Sequence, residues 1–427
     1  MASTADLVTD SVPDLTKKDE KTFWRMNFGE KASYIREVVT VEPLVTAYII
    51  VVFLCQPALL NLELEKACRV NLNYNDTVCE AILSGNHENF SAQNDETQVV
   101  VNNVRSWNKP IETIVPLILV LFLGSYSDRH KWRKPLLLLP IIGEFFSIVG
   151  IILCVVFMDS WPLEVLAVVR TVIPSFTGGQ SMMVMAVFAY IADVSTLEMR
   201  TLRMGVVQIT INIFSPIVLL ISGQLFIQIG YYGVLLVGAA FYVFALVYGI
   251  FAIKEPKQPV KDRKKGLLAD VFDPKHAIDT FNLMLKKNPD NNRIYIFLVL
   301  VTIFVYSGVN DGEGNCFFLY LQRQLHWTVV EFAYMVTIST VVHLVGIVIS
   351  LVTGVTAVTI RSMATKIVSQ NDLGKAQSLF SICEAIAPVV FTPLYGTVIY
   401  NNTLNVFPGT FLFVGIVLYL ICCVIVA

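Results

Sequence analysis

The apolar residues of this chain arrive in blocks of about 20, repeated along most of its length and separated by short charged loops. A block of that length is what one helix needs to cross a bilayer, so the pattern restricts the chain to an all-α polytopic membrane protein. Composition agrees. The 427 residues are 55% hydrophobic and only 15% charged, with a mean hydropathy of +0.65. A soluble chain of this size needs more charge to cover its surface. The formal net charge of −2 says little, because the charges are segregated by loop. No basic tract suits nucleic acid. Residues 1–37 are polar and lack a short apolar core before a small-residue cleavage site, so no removable signal peptide is expected.

One loop fixes sidedness. Gly124-Ser-Tyr-Ser-Asp128-Arg129-His130-Lys131-Trp132-Arg133-Lys134-Pro135 lies between apolar runs at roughly 111–123 and 135–158. An Asp followed by four cationic groups reads as an aqueous turn, and its Lys/Arg excess marks the cytoplasmic face. The N-terminal tail, 1–38, and a linker at 254–293 with ten Lys/Arg and four prolines fall on the same side. Between them, 39–253 reads as a six-helix bundle with spans near 40–60, 109–127, 135–158, 163–192, 203–223 and 232–253. The segment 61–108 is expected outside. It carries two glycosylation sequons, Asn75-Asp-Thr77 and Asn89-Phe-Ser91, together with Cys68 and Cys79, for which a disulfide is expected on the oxidising side. All five tryptophans flank spans, as an aromatic belt requires.

The second half, 294–427, holds four apolar segments, near 294–319, 332–360, 376–399 and 406–427. The second of these, about 29 residues, is long for one helix and too short for three. A total of about ten spans, six plus four, follows. A third sequon, Asn401-Asn-Thr403, lies close to the membrane.

Two bundles joined by a long basic linker resemble the plan of the major facilitator superfamily. The loop at Gly124–Pro135 resembles that superfamily's motif between spans two and three: a Gly, three residues, Asp-Arg, then a basic cluster. Here Arg133-Lys134 comes one residue late and no Gly precedes it. Arg170 followed by Gly178 and Gly179 resembles the family's span four. More specifically, the chain is similar to the solute carrier group of the proton-coupled folate transporter and the thymic stromal cotransporter. Val41-Glu-Pro-Leu-Val45, Ala192-Asp-Val-Ser195, Arg200-Thr-Leu-Arg-Met204, Ile360-Arg361, Gly374-Lys-Ala-Gln-Ser-Leu-Phe-Ser381 and Pro393-Leu-Tyr395 carry that likeness. Against the family, 332–360 looks like the start of span eight joined to the end of span ten, so span nine is absent. Gln208 and Tyr306 stand where the folate transporter has a glutamate tied to proton coupling and a histidine, which weakens folate as the substrate.

An ionisable group inside a span is expensive unless it faces protein or a wet cavity, so each is a site candidate. Arg170 could meet an anionic solute or a coupled carboxylate, or hold a neighbouring helix. Glu384 is the first candidate for proton coupling, with Glu144 similar. Asp311 and Glu313, set between glycines, suggest a locally broken helix facing a cavity. Arg361 matches a positively charged family position, and His343 reads as a packed residue. The resemblance also implies a gate built from Gly124, Asp128, Arg129, Arg133 and Lys134, with Asp128 facing the start of span eleven near Leu373–Ala376. No Cys/His spacing suggests a metal, and nothing resembles a phosphate loop or hydrolytic triad, so neither cofactor nor enzyme is expected. The reading is a secondary active, proton-coupled transporter of a small organic anion or amphipathic solute, in the plasma or lysosomal membrane. Its alternative is a non-transporting relative, short of one helical pair, that binds a protein partner.

Overall fold

The computed structural model describes residues 27, 40–86, 88–130, 132–194, 197–255, 292–349, 373–404 and 406–426, and within these the chain is helical. In order, α1 is Glu42–Lys66, running on as wider turns to Asn71; α2 is Asp76–Leu83; α3 is Ser91–His130; α4 is Lys134–Val156. Next come α5, Leu163–Phe176, α6, Gly179–Val194, and α7, Leu197–Phe251. The second half holds α8, Asn292–Leu325, α9, Val329–Ile349, α10, Leu373–Pro393 with its continuation to Thr403, and α11, Thr410–Val426.

Five of the described segments are long and apolar enough to cross a membrane by length and composition: Glu42–Asn71, Lys134–Val156, Leu163–Ile191, Ile213–Phe251 and Ile382–Thr403. The segments α3 and α8, read as spans two and seven, are not among them. Acids, bases and amides are interspersed along both. The part of 332–360 beyond Ile349, with Arg361, lies outside the described residues.

Local chemistry explains the breaks. The fourth apolar block is two helices because Thr177 closes α5 by donating to the Pro174 carbonyl (2.9 Å), and Gly178 and Gly179 then take φ of +90° and +50°. Only glycine adopts such angles without strain. Gly230, at φ +63°, likewise reverses α7 between the fifth and sixth blocks. Span seven differs from expectation. The stretch from Asn310 to Asn315 is continuous helix, not a break. Its glycines make room instead: a Cβ on Gly308 would strike the Phe391 ring at 2.2 Å, and one on Gly312 the Tyr395 ring at 2.8 Å.

The expected outer segment is also more ordered than its polarity suggests. Helix α1 extends through it to Asn71, and α3 begins at Ser91, well before the apolar run. Between them, Asn75 caps α2 by accepting from the Val78 amide (3.2 Å), and Cys68 is bonded to Cys79. Fully buried Lys66 donates to the carbonyls of Phe157, Met158 and Trp161 at 2.8–2.9 Å. It thereby supplies donors to the carboxyl end of α4, where the last carbonyls lack intrahelical partners.

Helices α1 and α3–α7 pack into one bundle, and α8, α10 and α11 into a second; α9 lies along α7. Gly223 allows that last approach, since a Cβ there would sit 3.3 Å from Val330 Cα. Large apolar side chains such as Phe146, Leu153, Phe244 and Phe251 point outward, as lipid-facing positions do.

Candidate functional site

Helix α3 joins the two bundles. Asp95, Gln98, Asn102, Arg105, Ser106, Lys109 and Glu112 recur at three- and four-residue spacing, which places them on one face. Nearly every one meets the second half. Asp95 forms a two-pronged ion pair with Arg323, whose remaining nitrogen donates to the Leu404 carbonyl at 2.6 Å. The Gln98 amide donates to the Leu319 carbonyl and to Gln322 (3.0 and 3.1 Å) and accepts from the Tyr400 hydroxyl at 2.9 Å. Asn102 donates to Asn401 (3.0 Å), and Ser106 bonds Thr397. The disulfide-bonded segment joins in, because Gln322 donates to the Ile82 carbonyl and His326 contacts that of Gly85. This polar seam closes the disulfide-bearing end of the molecule.

Below the seam lies a cavity in two connected compartments. The compartment next to the seam, about 200 Å³, is lined by Glu63, Arg105, Lys109, Glu112, Arg170 and Asn315, among others. The second, about 530 Å³, mixes apolar and aromatic groups, including Tyr48, Val51, Phe53, Ile148 and Tyr242, with polar ones such as Glu144 and Gln180. Gln56, Lys109, Glu112, Arg170 and Thr171 border both. Glu63 is the hub of the charged compartment: it accepts from Arg105 at 2.6 and 3.0 Å and pairs with Arg170. Arg105 also donates to the Asn315 carbonyl across the bundle boundary (3.0 Å). Two buried polar atoms facing the cavity, Asn108 Oδ1 and Ser175 Oγ, have no hydrogen-bond partner in the protein. Such atoms call for water or a ligand.

The sequence-derived candidates fall into three groups. Arg170, Glu144 and Asp311 lie at or beside the cavity. Arg170 is 37% exposed toward it; Glu144 accepts from the Tyr48 hydroxyl at 3.3 Å. Asp311 Oδ2 accepts from Asn315 (3.0 Å) and Thr392 (2.9 Å), and its Oδ1 stands 3.6 Å from Lys109 Nζ. Glu313 and Glu384 are elsewhere. The Glu313 carboxylate fills the space beside Gly415 of α11, where no Cβ would fit, so it turns away from the cavity. Glu384 is half-buried one position before Ala385, which with Pro388 lines the larger compartment.

The third group belongs to the motif between α3 and α4. The backbone remains helical through His130, so the aqueous turn is shorter than expected. Arg133 donates to Asp193 (2.7 Å) and to Ser127 (2.8 Å), and its amide and that of Lys134 donate to the Glu255 carboxylate at 3.0 and 3.1 Å. The Lys134 ammonium donates to the Ile250 carbonyl (2.5 Å). Both basic residues thus tie helices of the first bundle to one another. The side chains of Gly124, Asp128, Arg129, Gln208 and His343 lie outside the described residues. Sequence reasoning missed Glu63, Arg105, Lys109 and Glu112. The first two sit within 61–108, read as an outer loop; the other two stand at the polar start of a span.

The Major Facilitator Superfamily model matches residues 111–355, more than half of the chain, and the chain belongs to that superfamily of membrane transporters. Within it, the relatives belong to the solute carrier group that the motifs resemble. The probable peptidoglycan muropeptide transporter SLC46 of Drosophila melanogaster is 22% identical over 424 residues, covering 87% of this chain and 81% of the relative. The proton-coupled folate transporter of Rattus norvegicus is 27% identical over 216 residues, covering 50% of this chain and 45% of the relative. The crystal structure of the human organic anion transporter MFSD10 shares the fold at 14% identity and a TM-score of 0.51, over 90% of this chain and 99% of that one. The protein is a multi-pass integral membrane transporter and not an enzyme.

Proposed function

We propose that the protein moves a small organic anion or amphipathic solute by alternating access, driven by protons. The observation that carries this is the two-compartment cavity between the bundles: a charged end for an anionic group, continuous with a larger space of mixed apolar, aromatic and polar lining for the body of an amphipathic solute. Arg170 is the cation with the most open donors, and Glu144 would hold the coupled proton; the proton-coupled relative supports that coupling. The muropeptide relative adds amide- and carboxylate-rich peptides to the solutes worth testing. In this reading the disulfide-bearing end faces outside and is shut. Asp128 and Arg129 would serve the opposite gate, while Arg133 and Lys134 hold the first bundle rigid as it moves.

Uptake into proteoliposomes tests this. With an acidic outer solution, muramyl dipeptide, folate and simple organic anions are offered in turn. At least one is expected to accumulate several-fold over the neutral control, and a protonophore should abolish the difference. No uptake of any, or uptake indifferent to the pH gradient, would contradict the reading.

The same sidedness predicts which sequons are used. Asn75 and Asn89 are exposed, whereas the Asn401 carboxamide is held by Asn102 and Asn103. Glycosidase treatment should reveal glycans lost with Asn75→Gln and Asn89→Gln. Asn401→Gln should leave the mobility shift unchanged.

A further inference from the structure

Lys109 stands apart from the other cations at the boundary between the bundles. Arg105 and Arg323 each make hydrogen bonds of 3.0 Å or shorter to more than one group. The Lys109 ammonium instead lies 3.7 Å from Glu112, on its own helix, and 3.6 Å from Asp311 on α8. Both are ion pairs longer than those bonds, so the charge is shared between two carboxylates. One belongs to each bundle. Lys109 also borders both cavity compartments, so an anionic group of a solute would meet it directly. Asp311, for its part, keeps its bonds from Asn315 and Thr392 if Lys109 leaves.

We propose that Lys109 couples solute binding to release of the contact between the bundles. In the empty cavity its ammonium draws Asp311 toward Glu112 and so toward the first bundle. A solute anion takes the ammonium and ends that attraction. Arg105 and Arg170 face the same compartment but are anchored on Glu63, which leaves Lys109 as the cation free to exchange partners. This rests on the transport reading above and makes Lys109 a solute-binding residue within it. Removing the Asp311 charge should strengthen anion binding, because the solute then competes with Glu112 alone for Lys109.

Two measurements test it. First, purified protein carrying Ser106→Cys in the seam is labelled with a bulky maleimide, with rates taken relative to the Ser106 parent. Asp311→Asn and Lys109→Gln should each raise the labelling rate about fivefold, the double variant no further, as expected for two halves of one coupling. Second, the apparent KM for muramyl dipeptide should fall about threefold in Asp311→Asn and rise about tenfold in Lys109→Gln. Unchanged labelling in both single variants, or a higher KM in Asp311→Asn, would overturn the proposal. If the unaltered protein takes up no solute, the transport reading falls, and the labelling rates alone decide whether Lys109 links the bundles.

Discussion

Replacing Glu63 with alanine is expected to abolish uptake and to destabilise the protein by about 3–5 kcal/mol. Glu63 is one carboxylate serving two guanidinium groups, and its side chain is only 10% exposed. Its loss leaves Arg105 with a single carbonyl acceptor at the bundle boundary and leaves Arg170 unpaired beside it. Two uncompensated cations so close together repel each other and lose their charge-assisted bonds. The lower end of the range is the better figure, because Arg170 opens to cavity water and is partly screened. Glu63→Gln keeps the volume and one acceptor oxygen but not the charge, and should fall between. Thermal unfolding in detergent and uptake in proteoliposomes read both consequences. An alanine variant with unchanged unfolding temperature would show that the triad is not the hub described.

The second large effect concerns the seam. Arg323→Ala removes the two-pronged pair with Asp95 and the donor to Leu404, in a place where both side chains are 17% exposed. A loss of about 2–3 kcal/mol from the closed arrangement shifts its ratio to the open one by roughly 30- to 160-fold. Spin labels on exposed Ser84 and Asn402, one on each side of the seam, should report a longer distance in Arg323→Ala and the original one in Asp95→Arg with Arg323→Asp. An unchanged distance distribution in Arg323→Ala would remove the pair from any gating role.

Much of the fold was legible because bilayer length and loop charge are strong constraints. Helix α4 begins at Lys134, where the basic cluster ends, and the glycines at 178, 179 and 230 sit where the apolar blocks bend. The polar start of α3 was not legible. Asp95, Gln98, Asn102 and Arg105 look like an aqueous loop to any hydropathy average, yet their spacing makes one helical face that another bundle covers. A helix that seals protein against protein can be polar where one facing lipid cannot. The same averaging hid Glu63, three residues past the end of the expected first span. Asp311 and Glu313 were treated alike in the sequence because both adjoin glycines. Two residues apart on a continuous helix they point in different directions, one toward Lys109 and the other toward Gly415.

The most direct test compares uptake by the unaltered protein with uptake by Arg170→Gln across a range of solute concentrations. Arg170 is the cation most open to the cavity, so its replacement should leave a folded protein that binds an anion poorly. The expected result is saturable, acid-stimulated uptake by the unaltered protein and an apparent KM at least about tenfold higher in the variant, the loss of one charge-assisted bond. The same concentration dependence in both proteins would take Arg170 out of the anion site and contradict the account.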